Sequence, residues 1–144
     1  MASQTKRHEA DWLIGAGLFI DPKAHALRSL KAPGHAYDTD ELGRDPQPWH
    51  MRDYVDDRED MGGVHVNSGI PNHAFYLAAK AFGGYAWETI GPIWYATVCS
   101  KLPAHATFVA FARAALKHAA TVGPDAERAV RHGWRIVGVL DSDD

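Results

Sequence analysis

Hydrophobic residues recur at intervals of three and four through the second half of the chain, but not through the first half. This spacing puts apolar side chains on one face of a helix, so it predicts four helices in succession. The first begins after Pro71 and ends at Gly83 and Gly84, and the second runs from Trp87 to about Leu102. Because short turns bring successive helices side by side, the expected fold is mainly α, an antiparallel helical bundle.

The last two predicted helices carry their own terminal signals. Thr107 can cap the third helix through its hydroxyl, and Gly123 ends it. Pro124 suits the first turn of the fourth helix, where a missing N–H is harmless. The buried face of this fourth helix is expected to contain Val130, Trp134 and Val137.

The second predicted helix has an apolar pattern of its own. Trp87, Ile90, Trp94 and Val98 recur at helical spacing and are interpreted as its buried face. Cys99 continues the same apolar pattern, which favours a small buried core residue. It is the one cysteine of the sequence, so an internal disulfide framework is excluded.

The first half of the chain has a different pattern. Residues 11–20 are apolar but interrupted by glycines, which predicts a short extended or turn segment, and His25–Leu30 predicts one helical turn. Lys31–Asp60 contains several prolines, glycines and aspartates, and predicts a long irregular loop. Structureless loops of this length are usually functional or held by a ligand. Residues 1–10 are predicted to be a disordered tail and residues 141–144 an acidic tail, around one domain at 11–140.

Composition and charge limit the class of protein. The chain has 144 residues, 46% of them hydrophobic and 23% charged, with a net charge of −3 when histidines are neutral. This length supports one domain with a core of its own. So mild a charge gives no reason to expect nucleic acid or an anionic membrane as partner. No signal peptide or membrane span is recognised, so the expected location is the cytoplasm.

One segment carries candidate chemistry: Asp60 lies five residues before His65, with two glycines between them. The glycines allow a tight backbone path that can return the carboxylate to the imidazole. A carboxylate on one ring nitrogen fixes the tautomer, favours the protonated imidazole and leaves the other nitrogen available. Spacing alone fits two interpretations, a structural histidine paired with a neighbouring carboxylate or a histidine that stabilises an oxyanion or moves a proton.

The same segment resembles the active-site histidine segment of the thermolysin-like zinc metallopeptidases, with the pattern D-x-G-G-V-H-x-N-S-G-I-x-N at Asp60–Asn72. The likeness continues in order over residues 11–139, and Leu42–Pro48 is most similar to the protealysin-type branch. The resemblance therefore implies the α-helical C-terminal domain of that family. Other segments that carry it are Asp11–Gly15, Leu27–Leu30, Ala74–Ala78, Gly84–Glu88, Ile93–Tyr95, Ala106–Phe108 and Val137–Val139.

This resemblance implies roles for four residues. His65 would donate a hydrogen bond to the tetrahedral oxyanion, and Asp60 would orient it. Arg28 would hold the substrate carbonyl through its planar guanidinium, and Leu27 would line an apolar specificity pocket. Without the resemblance, Arg28 is better interpreted as a solvated or carboxylate-paired arginine.

No metal site is expected within this sequence. A catalytic zinc site needs about three protein ligands, and the nine histidines are scattered without an H-E-x-x-H pair. The family's zinc ligands and general base lie in an N-terminal half that this sequence lacks. Leu13 and Ala16 replace acidic residues of the family's calcium site, so calcium is not expected either. The acidic residues of the irregular loop are interpreted as solvated: Asp38, Asp40, Glu41, Asp45, Asp53, Asp56 and Asp57.

Three functional interpretations remain open from the sequence. The chain can be the C-terminal half of a split peptidase that is inactive without a zinc-binding partner half. It can instead be a stand-alone, non-catalytic relative that binds a peptide or protein, or a remnant without activity. The departures from the family pattern at Met61 (usually asparagine), Leu13 and Ala16 favour these two interpretations, whereas the retained candidate site residues favour the split peptidase. A face evolved to pack against another domain leaves apolar surface exposed, so self-association as a two-fold dimer is also expected.

Overall fold

The computed structural model describes residues 10–141, which divide into two compact units. Asp11–His73 form the first, called the loop unit, and the described residues from Ala74 onward, with Ala10, form the second, called the helical unit. The predicted disordered tail at 1–10 and acidic tail at 141–144 lie outside the described residues, apart from Ala10 and Asp141.

Two short antiparallel strand pairs and two short helical segments build the loop unit. Strand β1 (Leu13–Ile14) pairs antiparallel with β2 (Arg28–Ser29), and β3 (Asp38–Thr39) pairs antiparallel with β4 (Gly43–Arg44). A 3-10 turn at Met51–Asp53 and helix α1 (Val64–Asn67) follow. Helix α2 (Gly69–Phe82) begins in this unit.

The helical turn predicted at His25–Leu30 is wrong, because this segment is extended. The Leu27 backbone N–H donates to the Ile14 carbonyl at 2.9 Å, and the Leu30 N–H donates to the Trp12 carbonyl at 2.9 Å. The partners of these backbone groups therefore lie more than ten residues away. Such non-local pairing overrides a weak local preference for a turn.

A buried carboxylate organises the segment predicted to be irregular and solvated. Asp45 is 4% exposed. Its Oδ2 accepts from the backbone N–H groups of Gly34 at 3.0 Å and Ala36 at 3.1 Å, and its Oδ1 accepts from that of Gln47 at 3.1 Å. The prediction of a solvated side chain is thus wrong for Asp45. Three donors compensate its burial and connect two stretches of loop.

Three further helices complete the helical unit, namely α3 (Ile90–Val98), α4 (Phe108–Val122) and α5 (Pro124–Ile136). Helix α3 packs on α4, and α4 packs on α5. The mainly α class is confirmed, with four helices longer than two turns among the described residues. No helix within residues 10–141 is long and apolar enough to cross a membrane.

Aromatic rings fill the core of the helical unit. Trp134 of α5 is fully buried, and its ring stacks on Trp94 of α3 with centroids 5.6 Å apart and an interplanar angle of 2°. Phe111 of α4 lies 5.8 Å from the Trp134 ring, and Phe75 of α2 lies 5.4 Å from Trp94. One ring cluster therefore joins all four helices of this unit.

The predicted boundaries of the last two helices are confirmed. The Thr107 hydroxyl accepts from the Ala110 N–H at 3.2 Å, as expected of an N-cap. Gly123 ends α4 and Pro124 opens α5. The expected buried residues of α5 and its end, Val130, Trp134 and Val137, are all 0% exposed.

The prediction for the second helix is wrong at its ends and on one face. Helix α3 begins at Ile90, so Trp87 precedes it and is 45% exposed. Val98 is 67% exposed and Cys99 is exposed, although both were expected to be buried. Because the sequence of α3 contains no charged residue, hydrophobic spacing cannot tell its buried face from its outer face.

Candidate functional site

The structure joins Asp60 and His65 in the loop unit. Asp60 Oδ1 lies 2.5 Å from His65 Nδ1, and Asp60 Oδ2 accepts from the His65 backbone N–H at 2.9 Å. The His65 side chain is 75% exposed, whereas that of Asp60 is 19% exposed. An ionised carboxylate only accepts, so Nδ1 carries the proton of this contact and Nε2 remains for a ligand.

A left-handed backbone run between the two residues makes this contact. Met61, Gly62 and Gly63 have φ of 48°, 88° and 77°. The Gly63 N–H donates to the Asp60 carbonyl at 2.8 Å, which closes the turn. A Cβ on Gly63 would meet the Val55 carbonyl oxygen and would lie 2.7 Å from Asn67 Nδ2, whereas a Cβ on Gly62 would meet nothing within 4 Å. Gly63 is therefore required for space as well as for its φ.

Asn67 holds the histidine loop (residues 54–67) closed from inside. It is 1% exposed, its Nδ2 donates to the Val55 carbonyl at 2.6 Å, and its Oδ1 accepts from the Val55 N–H at 3.0 Å. The Tyr54 hydroxyl donates to the Gly62 carbonyl at 3.1 Å and adds a second link across the loop. The sequence interpretation assigned no function to Asn67 or Tyr54; the only signal was the place of Asn67 in the H-x-N-S run.

Gln47 connects α1 to the loop that Asp45 organises. Gln47 is 3% exposed, and its Nε2 donates to the His65 carbonyl at 2.9 Å and to Ser68 Oγ at 2.7 Å. The Ser68 hydroxyl donates to the same His65 carbonyl at 2.8 Å. Gln47 Oε1 is buried and has no hydrogen-bond partner among residues 10–141. The backbone of His65 is thus fixed on both sides, by Asp60 at its N–H and by Gln47 at its carbonyl.

The electrostatics of the pair keep the carboxylate ionised. The hydrogen bond from the His65 side chain is the largest influence and lowers the pKa of Asp60. Partial desolvation opposes this effect, while the backbone N–H groups of His65 and Val66 lower the pKa further. The imidazole of His65 therefore faces an anion over the ordinary range of pH.

Arg28 and Leu27 lie on another part of the loop unit. Arg28 is half-buried on β2, where its Nη1 donates to the Leu27 carbonyl at 2.8 Å, and Leu27 is 43% exposed. No hydrogen bond or ion pair in the described part of the chain joins Arg28 to Asp60 or His65. The structure brings two of the four predicted site residues into contact and leaves the other two at the start of β2.

The residues present do not fit a zinc ion. Within the described range 10–141 there is no group of three or more histidine, cysteine, aspartate or glutamate side chains that could hold a metal. Zinc needs about three such ligands in a catalytic site. No chemical step is therefore assigned to a metal held by this chain.

Comparisons with known proteins identify the class. Residues 1–139 match the family model of the thermolysin metallopeptidase α-helical domain. The extracellular metalloprotease of Pectobacterium carotovorum subsp. carotovorum is 54% identical over 91% of this chain, and protease PrtS of Photorhabdus sp. (strain Az29) is 48% identical over 93%. The structure of the protealysin precursor, a metalloproteinase from Serratia proteamaculans, superposes with a TM-score of 0.90 at 52% identity over 94% of this chain.

The chain belongs to the thermolysin metallopeptidase family as its α-helical domain, and it is similar in sequence and structure to the protealysin precursor. It spans 39% of the length of the Pectobacterium relative, 38% of PrtS and 43% of the protealysin precursor chain. The expected family and fold are confirmed.

Proposed function

We propose that this chain supplies the transition-state-binding part of a thermolysin-like zinc endopeptidase, and that it is inactive until a zinc-binding half joins it. The observation that carries this proposal is the Asp60–His65 pair, in which the carboxylate binds both the ring and the backbone of the histidine. A histidine held in this way is a preorganised donor, which is what stabilisation of a developing oxyanion requires.

His65 acts in its doubly protonated form. Nδ1–H then donates to Asp60, and Nε2–H donates to the oxygen of the scissile carbonyl as negative charge develops there. Loss of one such donor typically lowers kcat by a factor of about 10²–10³. Asp60 is the positioning residue, because its carboxylate keeps the proton on Nδ1 and prevents the ring from turning away.

Arg28 and Leu27 bind substrate in this proposal. The planar guanidinium of Arg28 can direct two of its N–H donors at one carbonyl oxygen. Leu27 is 43% exposed and offers apolar surface beside Arg28. The family's zinc, which activates water and polarises the carbonyl when bound, is expected from the complementing half rather than from this chain.

The test is a complementation assay. The purified chain is incubated with zinc and a quenched peptide substrate, alone and mixed with a separately expressed zinc-binding half of a protealysin-type peptidase. We expect cleavage only in the mixture, with kcat lowered by a factor of about 10²–10³ in His65→Ala and cleavage weakened in Arg28→Ala. His35→Ala changes an exposed histidine of the same unit and is expected to leave the activity unchanged. Chelator-sensitive cleavage by the chain alone would contradict the proposal.

A second function, peptide binding without hydrolysis, is favoured by one observation. Met61 has φ 48°, and the resemblance implies asparagine at this position, so the histidine loop departs from the family pattern at a strained residue. If the mixture is silent, binding of the same peptide to the chain alone, measured by fluorescence anisotropy and lost in Arg28→Ala, supports this alternative.

A further inference from the structure

The outer face of α3 is apolar and exposed. Tyr95 is 73% exposed and Val98 is 67% exposed, and Pro92 and Cys99 are exposed as well. The sequence from Thr89 to Ser100 contains no charged residue. A surface helix of a soluble protein ordinarily turns a charged face to water, so an apolar outer face indicates a surface that another molecule covers.

These side chains form one stripe, called the α3 face (Pro92, Tyr95, Val98 and Cys99). Their spacing of three and four residues places them on the same side of the helix. Hydrogen bonding to the Cys99 side chain raises the pKa of the Tyr95 hydroxyl, which agrees with their lying on one side. Ile93, at 2% exposure, faces the core instead.

The charges at the two ends of α3 are opposite. Glu88 precedes the helix, Lys101 follows it, and both are exposed. Tyr95 lies about midway between them in the sequence. If a second copy lies antiparallel across Tyr95, Glu88 of each copy meets Lys101 of the other, and Pro92 of each meets Val98 of the other. A parallel arrangement would instead oppose like charges at both ends.

We propose that the α3 face is a two-fold interface between two copies of this chain, packed antiparallel about Tyr95. A two-fold contact uses the same patch on both copies. Along the helix this patch has an acidic residue, the apolar α3 face and then a basic residue, so two antiparallel copies place opposite charges together at both ends. Helix α3 has 9 residues, so a contact through one such helix falls below the roughly 800 Å² per partner of stable complexes. The dimer is therefore expected to dissociate on dilution.

Sedimentation of the full chain over a wide concentration range tests the interface. We expect a monomer–dimer equilibrium whose dissociation constant rises at least about tenfold in Tyr95→Lys and in Val98→Lys. Val122→Lys and Ile136→Lys are the matched controls, since these residues are 57% and 44% exposed elsewhere in the helical unit. Helical circular dichroism in all four variants establishes that they fold. A monomer at every concentration, or a dimer insensitive to Tyr95→Lys, overturns the proposal.

Charge reversal tests the antiparallel arrangement. Glu88→Lys and Lys101→Glu should each weaken the dimer, because every end of the contact then joins like charges. An equimolar mixture of the two single variants should restore association, because all its end contacts again join opposite charges. The double variant should associate like the original chain, and both effects should decrease with added salt. Single reversals that leave the dissociation constant unchanged contradict this arrangement.

The single cysteine supplies an independent distance test. In the proposed dimer the two Cys99 α-carbons lie about 12 Å apart along the helices and about 9 Å across them. That separation of about 15 Å exceeds the roughly 7 Å limit for a disulfide. A bis-maleimide of matching length should therefore capture the dimer, whereas an oxidant should not. Rapid disulfide formation at Cys99 overturns the antiparallel register. The chain could instead form no dimer and bind a zinc-binding half, with that binding lost in Tyr95→Lys. This result would assign the α3 face to that partner and overturn the proposal.

Discussion

Asp60 binds His65 twice, through Oδ1 to the ring Nδ1 at 2.5 Å and through Oδ2 to the backbone N–H at 2.9 Å. One carboxylate therefore fixes both the orientation of the imidazole and the start of the helix that carries it. Turning the ring away would break the first contact, and moving the backbone would break the second. The geometry of this histidine is set before any substrate arrives, which is the condition for electrostatic preorganisation.

The first prediction concerns the acidity of Asp60. Its pKa in the folded chain is lowered, chiefly by the His65 side chain, from about 3.9 in an unfolded chain. The pair therefore adds stability above about pH 4 that is lost as pH falls through the folded pKa. A carbon-13 titration of the carboxyl should show the lowered pKa, and His65→Ala should raise it. Asp56→Asn, at an exposed neighbour, should leave the Asp60 titration unchanged.

The second prediction distinguishes two costs of adding a side chain at the two glycines of the histidine loop, namely the steric clash and the strain of a positive φ. Gly62→Ala places a side chain at φ 88° but meets nothing within 4 Å, so it should cost about 1–2 kcal/mol. Gly63→Ala adds a clash with the Val55 carbonyl oxygen and Asn67 and should cost about 1–3 kcal/mol more. Urea unfolding of the two variants measures the difference. Equal costs would show that Gly63 is needed for its φ alone.

The third prediction is a stabilising substitution. Met61 is 76% exposed and has φ 48°. Asparagine tolerates this conformation, so Met61→Asn should raise the free energy of unfolding by about 1 kcal/mol. Glu59→Asn, at an exposed neighbour outside the left-handed run, should change it by less than about 0.5 kcal/mol. A loss of stability in Met61→Asn would mean that the methionine side chain contributes packing in this loop.

The fourth prediction is a pH dependence due to His73. Burial lowers its pKa, although its ring hydrogen bond with the Leu30 carbonyl opposes this effect. Below about pH 6.5, His73 becomes protonated in the unfolded chain before it does so in the folded chain. The free energy of unfolding should therefore fall with decreasing pH, until pH passes below the pKa of His73 in the folded chain. His73→Gln should reduce the slope, and His35→Gln should preserve it. Trp49, whose ring lies 5.8 Å from that of His73, supplies a fluorescence signal for the unfolding curves.

Local signals predicted the last two helices well. A threonine cap, a glycine–proline junction and the burial of Trp134 all follow from positions within one or two turns, so the sequence contains the information. The contact of Asp60 with His65 was likewise expected from spacing, because two glycines permit only a few tight paths. Their chemical roles came from the family resemblance and remain proposals.

Distant backbone partners explain what the sequence did not reveal. Asp45 is buried because N–H groups nine and eleven residues earlier bind it, and no side-chain pattern marks those donors. Gln47 reaches the His65 carbonyl across eighteen residues. The predicted burial of Val98 and Cys99 was wrong for another reason. Helix α3 has no charged residue, so hydrophobic spacing cannot distinguish its buried face from its exposed face.

The hydrogen bonds that shape the histidine loop have a genetic consequence. Those described here from the side chains of Asp45, Gln47, Tyr54, Asp60 and Asn67 all begin and end between Gly34 and Ser68. A single short stretch of coding DNA therefore encodes both partners of each of these hydrogen bonds. A recombination or gene fission outside that stretch does not separate any of these partners.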